Sequence, residues 1–193
     1  MNIIGIDEVG RGPLAGPTVV AAVVLPEGLV IEGVADSKDL KPHQRVNLIQ
    51  AIHEQSLHWV IAASGPGFID EHGIARCIRG CMVSCAMRCL ERFPEAHVIV
   101  DGKERLPHPV PVSHEAIKGA DSTVQAVSAA SVLAKVYRDQ HMAGLAAAYP
   151  AYGFEQHKGY PTLVHRAQLK KHGPCPEHRF SFEPVKQAKK EHS

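Results

Sequence analysis

With 193 residues, 45% hydrophobic and 21% charged, the chain is long enough for one good-sized core and has the mix of an ordinary globular protein. A formal net charge of only +1 excludes a global field for polyanions, so any nucleic-acid-binding surface must be local. The apolar run around Val19 to Leu25 is too short to cross a bilayer, and the amino terminus lacks the pattern of a secretory signal, so a cytoplasmic protein with no membrane partner is expected.

The chain opens on a short apolar run, Ile3 to Ile6, that reads as a buried strand within Asn2–Asp7. It delivers two adjacent carboxylates, Asp7 and Glu8, into Gly10-Arg11-Gly12. Carboxylates at a strand end are costly to bury unless paired, and a divalent cation is the usual partner. The glycines let a ligand approach the backbone, and Arg11 offers a fork for phosphate. Neighbouring strand side chains point to opposite faces, so Asp7 and Glu8 reach one site only where the chain leaves regular β geometry. The Val9-Gly10 turn is expected to supply that departure.

Further strands are expected at Thr18–Leu25, His58–Ala63, His97–Asp101 and Val110–Ser113. Helices are expected at Pro42–Ile52, with Pro42 in the first turn, and at Ile74–Arg92, before Pro94. The latter carries Cys77, Cys81, Cys85 and Cys89 at steps of four. Each step climbs about 6 Å and rotates about 40° past a full turn, so four such thiolates cannot converge on one zinc ion. The expectation is small apolar core filling, and with Cys175 the odd count fits a reducing compartment. A long helix is expected from Asp121 through Ala147, and a shorter one over Leu163–Lys171, closed by Gly173-Pro174. The strands and helices alternate as in an α/β protein. Residues 1–141 read as one sheet-centred domain and 142–193 as a helical appendage packed on it, with 185–193 expected to be a flexible tail.

Two more acidic residues matter. Asp101 ends the run His97-Val-Ile-Val-Asp101, repeating the opening's arrangement of an apolar strand that delivers a carboxylate at its carboxyl edge. Ligands of open α/β sheets gather at that edge, so Asp7, Glu8 and Asp101 meet if their strands are neighbours. Asp121 stands at the start of the long helix. Taken singly, Asp121 reads as an N-cap and Asp101 as an Asx turn before Gly102. Thirteen histidines raise a rival to a metal site, since a histidine pair can serve as acid and base without any metal. His141, His157, His165, His172 and His178 crowd the last third, but no spacing singles out a pair, and the carboxylates would then be unexplained.

An ordered series of motifs resembles the bacterial ribonuclease HII family over nearly the whole chain. It comprises Gly5-Ile-Asp7-Glu8-Val-Gly-Arg-Gly-Pro-Leu-Ala-Gly16, Asp36-Ser37-Lys38, Val100-Asp101-Gly102, Ser128-Ala-Ala-Ser-Val-Leu-Ala-Lys-Val136, Tyr152-Gly-Phe-Glu-Gln-His-Lys-Gly-Tyr160-Pro-Thr and His178-Arg-Phe-Ser-Phe182. The resemblance implies an RNase H-like mixed five-stranded sheet flanked by helices, with a C-terminal helical segment. It implies an endoribonuclease that cleaves the RNA strand of RNA–DNA hybrids and nicks 5′ to ribonucleotides embedded in duplex DNA, leaving 5′-phosphate and 3′-hydroxyl ends. The metal-site carboxylates map onto Asp7, Glu8, Asp101 and Asp121, holding two Mg²⁺ or Mn²⁺ ions about 4 Å apart around the scissile phosphate. The resemblance also implies that Gly10, Arg11 and Gly12 meet the 2′-hydroxyl that tells RNA from DNA. Tyr160 would pack on the sugar beside the ribonucleotide and help select an RNA-to-DNA junction, and Ser37 and Lys38 would take backbone phosphates.

Two departures from the family pattern are visible. Ala120 stands where a glycine commonly precedes the fourth acidic residue, with Gly119 one step earlier. Lys41 stands where a serine often caps the helix that follows. A catalytically silent nucleic-acid-binding module is disfavoured by the four intact carboxylates. A nucleotide-binding enzyme is disfavoured because neither Gly-x4-Gly-Lys-[Ser/Thr] nor a Gly-x-Gly-x-x-Gly after a strand occurs. The nearer rival is a related RNase H that prefers long hybrid stretches. A monomer is expected.

Overall fold

The computed structural model describes residues 1–34, 40–103, 106–107, 110 and 114–192. Five strands form one mixed sheet in the order β3-β2-β1-β4-β5. These are β1 (Asn2–Val9), β2 (Thr18–Pro26), β3 (His58–Ser64), β4 (His97–Asp101) and β5 (His114–Ile117). β1 runs antiparallel to β2, from Asn2 opposite Pro26 to Val9 opposite Val19. It runs parallel to β4, from Ile3 opposite His97 to Ile6 opposite Val100, and β4 runs parallel to β5. Ile4 and Ile6 are wholly buried, as is β2 from Thr18 to Val24, which is why both strands read as unbroken apolar runs.

The helices are α1 (Pro42–Gln55), α2 (Pro66–His72), α3 (Ile74–Leu90), α4 (Gln125–Ala148), α5 (Phe154–His157), α6 (Leu163–His172) and α7 (Glu183–Glu191). The chain divides into two compact units. The first holds residues 1–9, 19–62 and 79–136; the second holds 10–18, 63–78 and 137–193. In the first, Ala126, Ala129, Ala130, Leu133 and Ala134 of α4 pack with Val19, Ala21, Val23 and Leu25 of β2. These small residues let the helix lie close to the sheet. At Gly5 of β1 the approach is closer still, since a Cβ there would collide with the backbone of Ala126 and Val127. The second unit has its own apolar clusters, one of Ala15, Met142, Tyr152, Phe154 and Cys175, the other of Leu14, Leu169, Val185 and Ala188.

Most expected elements appear within a few residues of their predicted bounds, and His97–Asp101 coincides with β4. The fifth strand does not: β5 covers His114–Ile117, while Val110 is irregular and 111–113 lie outside the described residues. The long helix begins at Gln125 rather than Asp121, because residues 120–122 form a 3-10 turn. The expected tail is helical over Glu183–Glu191, with Val185 and Ala188 buried against Leu14 and Leu169. Two apolar contacts three residues apart left too short a pattern to read, and packing decides the conformation.

The cysteines behave as core. All five are buried and in no disulfide, and burial pushes the Cys85 and Cys89 thiols up to about 12. Lys41 caps α1 poorly: it makes no side-chain cap bond, although Gln44 Oε1 accepts the Lys41 N–H at 2.8 Å. Lys41→Ser should therefore stabilise the protein by about 1 kcal/mol, read as a raised urea midpoint at constant m. An unchanged midpoint would mean that the vacant cap position costs nothing here. No helix among the described residues is long and apolar enough to cross a membrane.

Candidate active site

Asp7 and Asp101 stand one residue beyond the paired Ile6 and Val100, on adjacent parallel strands. Asp7 is 6% exposed. Its Oδ1 accepts the Glu8 N–H at 2.8 Å, and Ser131 of α4 also donates to it. Burial raises the Asp7 carboxyl to about 7, and the negative charges of Glu8 and Asp101 push in the same direction against those two hydrogen bonds.

Asp101 forms no Asx turn. Its Oδ1 reaches ahead to accept the N–H groups of Gly119 and Ala120, each at 2.9 Å, and so anchors the 3-10 turn that carries Asp121. The turn needs a left-handed residue, and Gly119 supplies it at φ 75°. Ala120 can thus replace glycine beside the fourth acidic residue, because the positive φ falls one position earlier. Asp121 is buried and is not the cap of α4; Ser128 Oγ donates to its carbonyl at 2.7 Å.

Glu8 is the exception among the four. β1 stays paired through Val9, with Asp7 opposite Ala21 and Glu8 opposite Val20, so the departure from β geometry expected of the Val9-Gly10 turn comes only after Glu8. Strand alternation then assigns Asp7 and Glu8 to opposite faces, although the Glu8 charge is still felt at Asp7. Among the described residues, no three His, Cys, Asp or Glu side chains form a ready-made cage for a metal ion.

In the second unit, Gly10 is buried at φ 96°, while Arg11 and Gly12 are exposed. Arg179, with no exposed surface, donates to Gly10 O at 2.7 Å, Arg11 O at 3.3 Å and Gly16 O at 3.0 Å. Arg138, equally buried, donates to Pro17 O and Lys158 O at 2.9 Å and to Ala15 O at 3.1 Å. Two cations thus fix the loop by its carbonyls. A Cβ at Gly12 would meet nothing, so the fold itself does not demand glycine there. Tyr160 is half-buried, with the Arg138 guanidinium 5.5 Å from its ring centre. Ser37 and Lys38 lie outside the described residues.

The structure also holds a histidine pair that sequence spacing did not single out. His165 and His178, both wholly buried, face each other at 3.1 Å between their Nε2 atoms. Burial lowers His165 to about 4, and burial together with the neighbouring His165 lowers His178 to about 3. Both are therefore neutral and shut away from solvent, which argues against acid–base work by this pair. A folded-state pKa below the unfolded value of about 6.5 gives stability that is complete above that pH and lost as the pH falls toward 3–4. Asp7 has the opposite slope between 3.8 and about 7, so the loss is isolated in Asp7→Asn. In that variant, urea unfolding should give several kcal/mol less stability at pH 4.5 than at pH 7.5, by order of magnitude. Equal values would mean that the pair is not buried and neutral.

The architecture is that of the type 2 RNase H nucleases. Ribonuclease H2 from Pyrococcus horikoshii OT3 superposes with a TM-score of 0.79 at 27% identity, over 98% of each chain. Bst-RNase HIII, solved in complex with Mn²⁺, shares the fold at a TM-score of 0.79 and 18% identity, over 97% of this chain and 69% of that one. The family model for ribonuclease HII matches residues 4–185. Ribonuclease HII of Bordetella avium is 46% identical over 185 residues, covering 96% of this chain and 90% of that protein. The chain belongs to the ribonuclease HII family. It is a ribonuclease H, and the membership implies endoribonuclease activity on RNA–DNA hybrids.

Proposed function

We propose that the protein nicks duplex DNA on the 5′ side of embedded ribonucleotides, as well as cutting the RNA of hybrids, with Asp7, Glu8, Asp101 and Asp121 holding two Mg²⁺ or Mn²⁺ ions. The observation that carries this reading is the burial of Asp7 beside Asp101, which raises its carboxyl to about 7. Among the described residues no positive charge acts on this carboxyl, and an all-oxygen donor set suits hard divalent ions. Mg²⁺ keeps several waters and takes one or two carboxylates plus substrate phosphate, so a closed protein cage is not required. Ions held by these carboxylates would supply Lewis acidity for activating water and for offsetting charge on the departing 3′ oxygen.

The protein's own part is positioning. Ser131 and the Glu8 amide orient Asp7, and the Gly119–Ala120 amides orient Asp101. Glu8 is included because its charge reaches Asp7; its carboxylate would have to come round the end of β1. Gly10, Arg11 and Gly12 would receive the 2′-hydroxyl, a role supported by the open space at Gly12 and by carbonyls tied inward to Arg179. Tyr160 would pack on the neighbouring sugar, and Ser37 and Lys38 would take backbone phosphates.

The test is cleavage of a DNA duplex carrying one ribonucleotide, with Mg²⁺ or Mn²⁺ against EDTA, for wild type and Asp101→Asn. Nicking on the 5′ side that needs metal and is lost in the variant is the expected result. Cutting that persists in EDTA would refute the metal mechanism. Cleavage of continuous hybrids alone would refute the claim on embedded ribonucleotides.

A further inference from the structure

The buried histidine pair has no part in the chemistry proposed above, and its hydrogen bonds run in one direction. The backbone N–H of Cys175 donates to His178 Nδ1 at 3.0 Å, which leaves the proton of neutral His178 on Nε2. That Nε2–H donates to His165 Nε2 at 3.1 Å, which in turn leaves the His165 proton on Nδ1. His165 Nδ1 lies 2.9 Å from the carbonyl of Tyr160 and donates to it. The chain of donors therefore starts at the Cys175 amide and ends on Tyr160.

Other groups hold Tyr160 from the same side. Its N–H donates to His157 O at 2.9 Å, and its carbonyl also accepts the Thr162 N–H at 2.8 Å. The His157 ring stacks on His165 at 4.3 Å between centroids. The backbone of Tyr160 is fixed from inside the unit while its ring remains half exposed.

We propose that His165 is the positioning residue of Tyr160: donating from Nδ1, in the tautomer that His178 imposes, it sets the ring at the angle used to sense an RNA-to-DNA junction. This rests on the assignment of Tyr160 made under the proposed function. A core histidine serving packing alone would need no particular tautomer. Here each ring nitrogen of the pair has a partner, except as one nitrogen of each meets the other, and the last donor reaches the residue assigned to substrate choice.

Two substitutions separate the two ring nitrogens. The amide nitrogen of asparagine reaches about as far as Nδ1, and that of glutamine about as far as Nε2. His165→Asn therefore keeps the donor to Tyr160 O, and His165→Gln keeps only the donor or acceptor toward His178. The readout is kcat/KM on a duplex with one ribonucleotide divided by kcat/KM on a continuous hybrid. Both are measured on one preparation, so the active fraction cancels even for a poorly folding variant. His165→Gln should lower this ratio about tenfold, chiefly through kcat on the single-ribonucleotide duplex, and His165→Asn should stay within about threefold of wild type. Equal shifts in both variants, or no shift in His165→Gln, would overturn the proposal. Tyr160→Ala tells the two failures apart. If it lowers the ratio while His165→Gln does not, the positioning role alone fails. If it leaves the ratio unchanged, the assignment of Tyr160 fails and the positioning role falls with it.

Discussion

Asp7→Asn should abolish cleavage, by at least about a thousandfold, and at the same time melt higher than wild type in EDTA at pH 8. The two effects share one cause. In the metal-free protein Asp7 is buried, with like charges on Glu8 and Asp101, and its carboxyl is raised from 3.8 to about 7. A raised folded-state pKa means that stability is complete below 3.8 and is lost as the pH climbs through about 7, because the unfolded chain ionises first. At pH 8 the full penalty is present, about 4 kcal/mol by linkage and smaller once the protein relaxes. Asparagine removes the charge and keeps an acceptor for the Glu8 N–H, but it offers Ser131 a donor in place of an acceptor. A net gain of about 2 kcal/mol remains, or about 4 to 8 °C in Tm for a chain of this size. At pH 4 the gain should vanish. Saturating Mn²⁺ should raise the Tm of the wild type and not that of the variant. A variant that melts lower than wild type at pH 8 in EDTA would show that Asp7 is no uncompensated charge, and the case for a cation there would lose its main support.

Much of this arrangement was legible in the sequence because strand ends are marked by chemistry. An apolar run that stops on a carboxylate is visible at Ile6–Asp7 and at Val100–Asp101, and parallel pairing of the two strands then brings the carboxylates side by side. The cysteine spacing was equally decisive, since helical geometry alone rules out a shared zinc; the thiols are buried and in no disulfide. Glu8 was harder. The departure expected at the Val9-Gly10 turn came from needing both carboxylates in one place, and the paired register through Val9 shows that the need did not dictate the backbone at Glu8. The start of α4 was misplaced for a related reason. The helix was expected from Asp121, where an acidic residue taken singly fits a cap, but the Asp101 side chain claims the Gly119 and Ala120 amides and holds the segment in a separate turn. No local pattern announces a bond between residues 18 and 19 positions apart.

The buried polar groups were the least legible part. Histidine is mostly a surface residue, and thirteen of them gave no reason to pair His165 with His178. Their meeting depends on α6 and the following turn being packed together. Arginine is harder still to foresee inside a protein, yet Arg138 and Arg179 have no exposed surface. The motif His178-Arg-Phe-Ser-Phe182 could be matched to a family, but its purpose is physical. Asp70 of α2 accepts the N–H groups of Phe180 at 2.9 Å and Ser181 at 2.7 Å, which sets the turn that aims Arg179 inward.

That aim gives the second large prediction. Arg179→Met should cost about 3–5 kcal/mol of stability, and Arg179→Lys somewhat less, with cleavage falling in both. The guanidinium donates to Gly10 O, Arg11 O and Gly16 O from three different nitrogens. Methionine leaves those carbonyls without that donor, and each buried orphan costs about 1–3 kcal/mol before relaxation. Lysine keeps the charge but concentrates its donors on one atom, so it cannot span acceptors on both sides of the loop. If the inward carbonyls shape the 2′-hydroxyl contact, Arg179→Lys should raise KM for a single-ribonucleotide duplex about tenfold or more, beyond what its loss of folded protein explains. Urea denaturation and steady-state cleavage on the same samples separate the two effects. A lysine variant with wild-type stability would mean that the three bonds contribute nothing net. Lost stability with an unchanged KM would confine Arg179 to folding and detach the Gly10–Gly12 loop from substrate recognition.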